Sequence, residues 1–457
     1  MRRIVLVTLA LCLGCERPAS NDVPAVAPAA AAPPSVLLVS FDTTRPDALG
    51  VYGSDGGHTP TMDEVARAGT VFENVIAPMG ATFPSHASML TGLNPRQHGV
   101  RANHDKLQEG TVTLAETLRT AGYDTAAFVS FGSMVSRGGL HQGFDDLSDP
   151  ATGGSTGGIR DGDEITKLAV EWLAGPRERP FFLWLHYFEA HAPYRVTPYA
   201  RERLADYAGP LAEGADVNVF YSLGKKIPWS AEERLAVRVL YDGEVRELDR
   251  LIAPVLEELA ATGLADETIV VLTADHGQAL GENGVVGHGL SLDEIVLRVP
   301  LIIRDPRNTD APRRVEGRVG VVDLAPTLLE LVGQSAPEDI DGRSLAGALR
   351  GEPLEDRLYF AEMNEPLWDK DPTEIRRRDV AVYEGDVKAV HDRKGSRAFD
   401  LAADPLAQSP LPAESRPQRV AELEALAEAY HVGRRDHSGQ VKDPAVAEEL
   451  RALGYLE

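Results

Sequence analysis

The sequence predicts an α/β fold: a large, mostly parallel sheet sandwiched by helices. Three observations predict it. Apolar runs of strand length recur along the chain, at 36–41, 125–129, 180–188 and 268–274. Helix start signals stand between them, among them the capping boxes Thr113-Leu114-Ala115-Glu116 and Ser230-Ala231-Glu232-Glu233. Strand, helix and buried strand in alternation demand crossover connections, hence parallel strands covered on both faces. Composition agrees. The 457 residues, 43% hydrophobic and 25% charged, are ordinary for a soluble globular protein and sufficient for a large core.

Arg2 and Arg3 precede an apolar run, Ile4 to Leu13, that closes on Gly14-Cys15. The run is too short to span a bilayer and reads as a signal peptide over residues 1–15. Gly-Cys at its end resembles a bacterial lipoprotein cleavage site, with Cys15 as the lipidated first residue, although Cys12 stands where Leu is usual. Export to a bacterial cell envelope as a lipoprotein is therefore expected. Both cysteines lie in this segment, which leaves the folded body without disulfides or a Cys-based zinc site. Residues 16–34 are Pro/Ala-rich and read as a tether. Net charge is -24, from 46 basic and 70 acidic residues. That argues against nucleic acid and against adsorption to anionic membranes, so a lipid anchor is the one membrane contact expected. An anionic substrate stays open, because a metal ion reverses the local field.

The first buried strand, Val36 to Phe41, delivers Asp42 at its carboxyl end, where functional groups collect in α/β sheets. Asp42 is a candidate metal ligand, although a turn aspartate would look the same. Thr59-Pro60 opens a helix that ends at Gly69, and Val71 to Ile76 reads as a strand. Then comes Thr82-Phe83-Pro84-Ser85-His86-Ala87-Ser88-Met89-Leu90-Thr91-Gly92. Pro84 suits a first helical turn and Gly92 a helix end. The Thr82 hydroxyl is thus expected just ahead of a helix N-terminus, which favours anions. It is a candidate nucleophile if something deprotonates it. Alone, it would be read as a helix cap.

The helix after Thr113 stops at Gly122, residues 152–158 are a glycine-rich surface loop, and Asp163 to Leu173 is helical. The strongly apolar strand at 180–188 runs into Glu189-Ala190-His191, placing His191 for substrate or metal contact. Residues 195–229 lack a clean period and suit a flap. The long helix after Ser230 is expected to kink or divide at Pro254. Thr268 to Ala274 delivers Asp275-His276-Gly277, with His288 beyond. Asp42, Asp275, His276 and the Thr82 oxygen together suit Mn²⁺, Mg²⁺, Ca²⁺ or Zn²⁺. Such a cation would lower the pKa of the Thr82 hydroxyl.

These motifs resemble the sulfatase family of the alkaline phosphatase superfamily over residues 35 to 457. Its Cys/Ser-x-Pro-Ser-Arg and following Thr-Gly are matched by Thr82-Phe83-Pro84-Ser85-His86 and Thr91-Gly92. Pro95, His98 and Gly99, then Asp275-His276-Gly277, Leu280-Gly281 and Val299-Pro300-Leu301, match further blocks. So do Asp323 to Leu329, Asp341-Gly342-x-Ser344-Leu345 and Phe399-Asp400-Leu401-x-x-Asp404-Pro405. The resemblance implies one divalent cation on Asp42, Asp275 and His276, and contact of His191 and His288 with the transferred anion. It also implies substrate contact by His86 and an amide donor at Asn103, as in the related phosphonate monoester hydrolases. A catalytic domain over 35–350 and a C-terminal subdomain over 351–457 follow, the latter a small antiparallel sheet with strands at 358–362, 379–383, 387–391 and 398–400 and a helix from Arg416 to Tyr430.

The departures shape the expected chemistry. Family sulfatases convert Cys or Ser into formylglycine, and Thr82, with its methyl group, cannot become that aldehyde. A sulfo-threonine would be hydrolysed slowly at sulfur, whereas a phospho-threonine yields to metal-assisted in-line attack. His86 replaces the family Arg, and Thr43 stands where many members have a second metal-binding Asp. A single cation is expected, because Asp-x-x-x-His spacing is absent near His191; a second would need His191, His288 and an acid such as Glu189. The reading is an exported hydrolase of a sulfate, phosphate or phosphonate ester, on a small-molecule, glycan or lipid substrate, with phosphoryl chemistry favoured and no formylglycine. The rivals are a phospho-alcohol transferase acting on lipid or glycan, and a catalytically inactive sulfatase-like binding protein.

Overall fold

A computed structural model describes residues 32–432 apart from 55–57, 104, 109, 132–133, 137, 150–158, 216–228, 309–311, 368–370 and 416. The signal segment, most of the tether and the 152–158 loop lie outside the described residues. No described helix is long and apolar enough to cross a membrane.

The main sheet has eight strands: β1 (Ser35–Phe41), β2 (Thr70–Ile76), β3 (Asp124–Val129), β4 (Asp146–Ser148), β5 (Phe181–Tyr187) and β6 (Thr268–Ala274), then, past the short hairpin β7 (Ala279–Leu280) and β8 (Val286–Gly287), β9 (Arg298–Arg304) and β10 (Arg313–Gly320). Their order is β10-β2-β9-β6-β1-β5-β3-β4. The sheet is mixed: β9 runs antiparallel to both of its neighbours, and the other pairings are parallel. Strands β1, β5 and β6 are buried along their whole length, as central strands covered on both faces must be.

Alternation along β1 sends Leu37, Val39 and Phe41 into one core layer and Val36 and Leu38 into the other. The first layer is closed by the helices Pro60–Arg67, Gly162–Leu173 and Ala231–Ala261. The second is closed by Thr82–Thr91, Leu114–Thr120 and Leu324–Leu331. Both expected capping boxes form, at Thr113 and Ser230. The helix Ala231–Ala261 runs through Pro254 undivided. Pro254 is exposed, so water reaches the carbonyl that its missing N–H leaves unpaired. The helix expected to begin just past Thr82 starts at Thr82 itself, because Ala81 is the extended cap residue (φ −145°). Gly92 ends it in the left-handed conformation (φ 72°). In the 195–229 stretch the described part holds a short helix, Pro198–Arg203.

A second sheet, β11 (Tyr359–Leu367), β12 (Asp371–Glu384), β13 (Val387–Asp392) and β14 (Gly395–Asp400), is antiparallel in that order. The helix Gln418–Val432 covers one face through Leu423, Leu426 and Ala427. The other face packs on Ile76, Leu292, Leu297 and Val322 of the main body.

Candidate active site

Register builds the centre. Phe41 on β1 pairs with Ala274 on β6, so the next residues, Asp42 and Asp275, emerge side by side at the carboxyl ends of adjacent parallel strands. One oxygen of Asp275 is fixed: Oδ1 accepts from the Thr43 N–H at 3.1 Å and the His276 N–H at 2.8 Å. Thr43 reaches that position with φ 53°, a left-handed conformation that costs a β-branched residue about 1–3 kcal/mol. The Tyr241 hydroxyl pins the strained turn, donating to Thr43 O and accepting from Arg45 N, both at 2.8 Å.

Asp42, Asp275 and His276 bring one potential ligand atom each within 4.8 Å of one another, and all three residues are fully buried. Asp42 Oδ1, Asp275 Oδ2 and His276 Nε2 have no hydrogen-bond partner among the described residues. His276 Nδ1 lies 3.0 Å from Gly277 O, which places the ring proton there and leaves Nε2 as a lone pair. Three buried, unsatisfied acceptors within 4.8 Å of one another fit a divalent cation, and no Lys or Arg among the described residues is bonded to them. Burial pushes the Asp42 carboxyl up to about 8, with the hydrogen bond from Thr82 opposing it. Burial, and then repulsion from Asp42, pushes Asp275 up to about 7. A cation would reverse both shifts.

Thr82 occupies the first turn of its helix, 2% exposed, with Oγ1 3.4 Å from Asp42 Oδ2. Asn103 Oδ1 accepts from the Phe83 N–H of the same turn at 2.9 Å, which directs its amide –NH₂ elsewhere. His191 and His288, both partly exposed, face each other Nε2 to Nε2 at 3.1 Å, and the His288 ring centroid lies 4.4 Å from that of His276. Burial, and then the neighbouring imidazole, holds both His191 and His288 down to about 3. Beside His191 opens a cavity of about 210 Å³ lined by Arg160, Phe188, Glu189, Pro193 and Arg195 among others.

Two of the residues named from the sequence, His86 as a substrate contact and Glu189 as the acid a second cation would need, are held in other roles. His86, expected to touch substrate, is fully buried with both ring nitrogens engaged, Nδ1 with Thr82 O at 2.8 Å and Nε2 with Ser40 Oγ at 3.0 Å. It braces the helix against β1 and keeps no nitrogen for an anion. Glu189 accepts from the N–H groups of Gly162 at 2.8 Å and Phe188 at 3.2 Å, so its carboxylate caps a helix start.

One residue was missed. His186 on β5 is fully buried, its Nε2 is 3.4 Å from Asp42 Oδ2, and neither ring nitrogen has a hydrogen-bond partner among the described residues. Its only sequence signal is a single polar residue inside Phe-Phe-Leu-Trp-Leu-His-Tyr.

A buried carboxylate–imidazole cluster at the strand ends, with a hydroxyl at a helix N-terminus beside it, is an arrangement suited to cation-assisted ester hydrolysis. The chain belongs to the sulfatase family: the sulfatase family model matches residues 34–334. The model for the N-sulphoglucosamine sulphohydrolase C-terminal region matches residues 281–421. The chain is 26% identical over 461 residues to the multifunctional alkaline phosphatase superfamily protein PehA of Trinickia caryophylli, covering 81% of this chain and 90% of that one. It is 24% identical to the Delta 4,5-hexuronate-2-O-sulfatase of Bacteroides thetaiotaomicron, covering 90% and 91%. The phosphonate monoester hydrolase of Agrobacterium radiobacter has the same fold, with a TM-score of 0.69 at 23% identity over 87% of this chain and 96% of that one.

Proposed function

We propose that the chain hydrolyses a phosphate or phosphonate ester through Thr82 as covalent nucleophile. The observation that carries this reading is the secondary hydroxyl of Thr82 beside Asp42, in the cluster fit for a cation. A divalent cation on Asp42, Asp275 and His276 would lower the pKa of that hydroxyl and offset the charge of the substrate. Thr82 Oγ then attacks phosphorus in line and displaces the alcohol, leaving phospho-Thr82, which water hydrolyses in a second in-line step. The helix N-terminus at Thr82 and the Asn103 –NH₂ stabilise the anionic transition state. The cavity beside His191 takes the leaving group. Arg160, Asp161, Glu189 and Arg195 in its lining make the cavity polar, which suits a polyhydroxylated alcohol.

A sulfate ester of a glycan is the second reading. It is supported by relatives named as sulfatases of hexuronate, N-acetylglucosamine and ulvan. Thr82 weighs against it, since a threonine cannot become formylglycine. The test is turnover of matched phosphate monoester, phosphonate monoester and sulfate ester by wild type, Thr82→Ser and Thr82→Ala. Phosphoryl esters should be cleaved faster, Thr82→Ser should keep measurable activity and Thr82→Ala should lose it. A sulfate preference, or equal rates for wild type and Thr82→Ala, overturns the reading.

A further inference from the structure

Three arginines meet outside the cation centre, where the second sheet joins the main body. Arg96 lies in the short helix Pro95–His98, Arg101 just beyond it, and Arg378 on β12. On β11, Glu362 and Asn364 share a face by alternation, and Asn364 pairs with Arg378 across the ladder. That face is the one covered by the helix Gln418–Val432. Tyr430 of the helix closes the cluster. Its hydroxyl donates to Glu362 Oε1 at 3.1 Å, and Arg96 Cζ lies 3.5 Å from its ring centroid.

The charges do not balance. Glu362 is 1% exposed and lies 3.8 Å from Arg96 Nε; among the described residues it is the one carboxylate ion-paired with any of the three side chains. Burial pushes its carboxyl up, but Arg96, Arg101 and Arg378 together more than offset that and hold it below the usual carboxylate range. Burial holds Arg378 below its ordinary value, and Arg101 and Arg96 add to that against the pull of Glu362. Asp341, whose charge also reaches Tyr430, accepts from Asn94 N at 2.6 Å and Gln97 Nε2 at 2.7 Å. Donors are unused as well. Arg96 is 7% exposed, yet its Nε and Nη2 have no hydrogen-bond partner among the described residues, and neither do Arg101 Nε and Asn364 Nδ2. Arg378 Nε donates to Asn364 Oδ1 at 3.1 Å, which leaves the Asn364 –NH₂ as the free end of that amide. Unmade buried hydrogen bonds and surplus buried positive charge both cost free energy. One kind of ligand offsets both, an oxyanion, which guanidinium forks hold bidentately.

We propose that Arg96, Arg101, Arg378 and Asn364 bind an oxyanion: a sulfate, phosphate or carboxylate group. Arg101 and Arg378 are partly exposed and open the cluster to solvent. Its position gives the anion a use. Glu362 N donates to Pro78 O at 2.8 Å and Glu362 bridges to Met79, next to the Gly80 carbonyl that holds His288 Nδ1. Arg101 stands two residues before Asn103, whose side chain caps the Thr82 turn. The cluster thus adjoins both segments that border the ester centre. A second anionic group on the alcohol part of the substrate would bind here, which narrows the phosphoryl ester proposed above to an acidic one and rests on that reading. A free inorganic anion would fill the same site without it.

The test is sulfate binding to protein stripped of metal with a chelator, where no cation draws the anion to Asp42 and Asp275. Calorimetric titration at constant ionic strength should show one sulfate per chain in wild type. Affinity should fall by about tenfold or more in Arg101→Gln and in Arg378→Gln. Arg378→Lys keeps the charge without the fork and should fall between. Circular dichroism identifies a variant that fails to fold, and Arg101→Gln, outside any helix or strand, then carries the test. No sulfate bound by wild type at millimolar concentration, or wild-type affinity in both folded glutamine variants, overturns the proposal; the cluster would then only tie the last helix to the body. The source of the anion is read by displacing the sulfate with glucose 1-phosphate and with glucuronic acid 1-phosphate, which differ by one carboxylate. Stronger displacement by the glucuronate ester assigns the site to substrate. Equal displacement assigns it to a free anion and removes the narrowing to an acidic ester. Sulfate binding needs no turnover, so a failure of the phosphoryl reading leaves it intact and the two fail separately.

Discussion

Replacing Asp275 with asparagine should stabilise the metal-stripped protein while destroying its cation site. Asp42 and Asp275 are fully buried neighbours, and burial pushes the Asp275 carboxyl from 3.8 up to about 7. Between those values the folded chain holds a proton that the unfolded chain has released. Stability contributed by this group therefore falls as pH rises through the window. At pH 8 the accumulated cost is about 4 kcal/mol, and at pH 5 about 1–2 kcal/mol. Asparagine keeps the Oδ1 acceptor for Thr43 N and His276 N. Its –NH₂ replaces Oδ2, 3.3 Å from the bare Nε2 of His276, where a donor is welcome. Urea unfolding in chelator should show Asp275→Asn more stable than wild type by up to about 4 kcal/mol at pH 8, with the gap shrinking toward pH 5. The buried histidines, held neutral, make both proteins lose stability below about pH 6.5, and the loss is steeper in Asp275→Asn because the Asp275 charge that favours protonated His86 and His186 is gone. Excess divalent cation should reverse the order, because wild type alone gains binding free energy. A stripped Asp275→Asn that is less stable than stripped wild type at pH 8 would refute the reasoning.

Tyr241→Phe removes both hydrogen bonds that pin the strained Thr43 turn. It should cost about 1–3 kcal/mol of stability and weaken cation binding in titration, and an unchanged affinity would separate the turn from the metal site. Lys388 is buried against Glu294, which also accepts from Tyr383. Lys388→Ala should cost about 3–5 kcal/mol in urea unfolding, and the pair Lys388→Met with Glu294→Leu should recover most of it. A loss as large in the double variant would show that the charges themselves stabilise the seam. At the N-terminus, Gly14-Cys15 leads us to expect that Cys15→Ser moves the protein from the membrane fraction to the soluble one. Equal membrane retention would exclude a lipid anchor at Cys15.

The principal site was legible because it needs only strand ends. Asp42 and Asp275-His276 each follow an unbroken apolar run, and parallel register brings such ends together whatever the loops do. Thr82 was legible through Pro84 and Gly92, which mark the two ends of its helix, although the cap fell on Ala81. The direction of β9 was not legible, since an apolar run looks the same in a parallel or an antiparallel strand. His186 was not legible either. One histidine in an apolar strand reads as core, and only the fold shows that its alternation points it at Asp42. The His191–His288 pair joins residues 97 apart through the Gly80 and Ala192 carbonyls, a geometry no spacing rule encodes.

The stereochemical course at phosphorus tests the covalent role of Thr82 most directly. With a phosphate ester made chiral at phosphorus, two successive in-line displacements through phospho-Thr82 give net retention, which is the predicted result. Net inversion would mean that water attacks the substrate directly and would contradict Thr82 as the nucleophile.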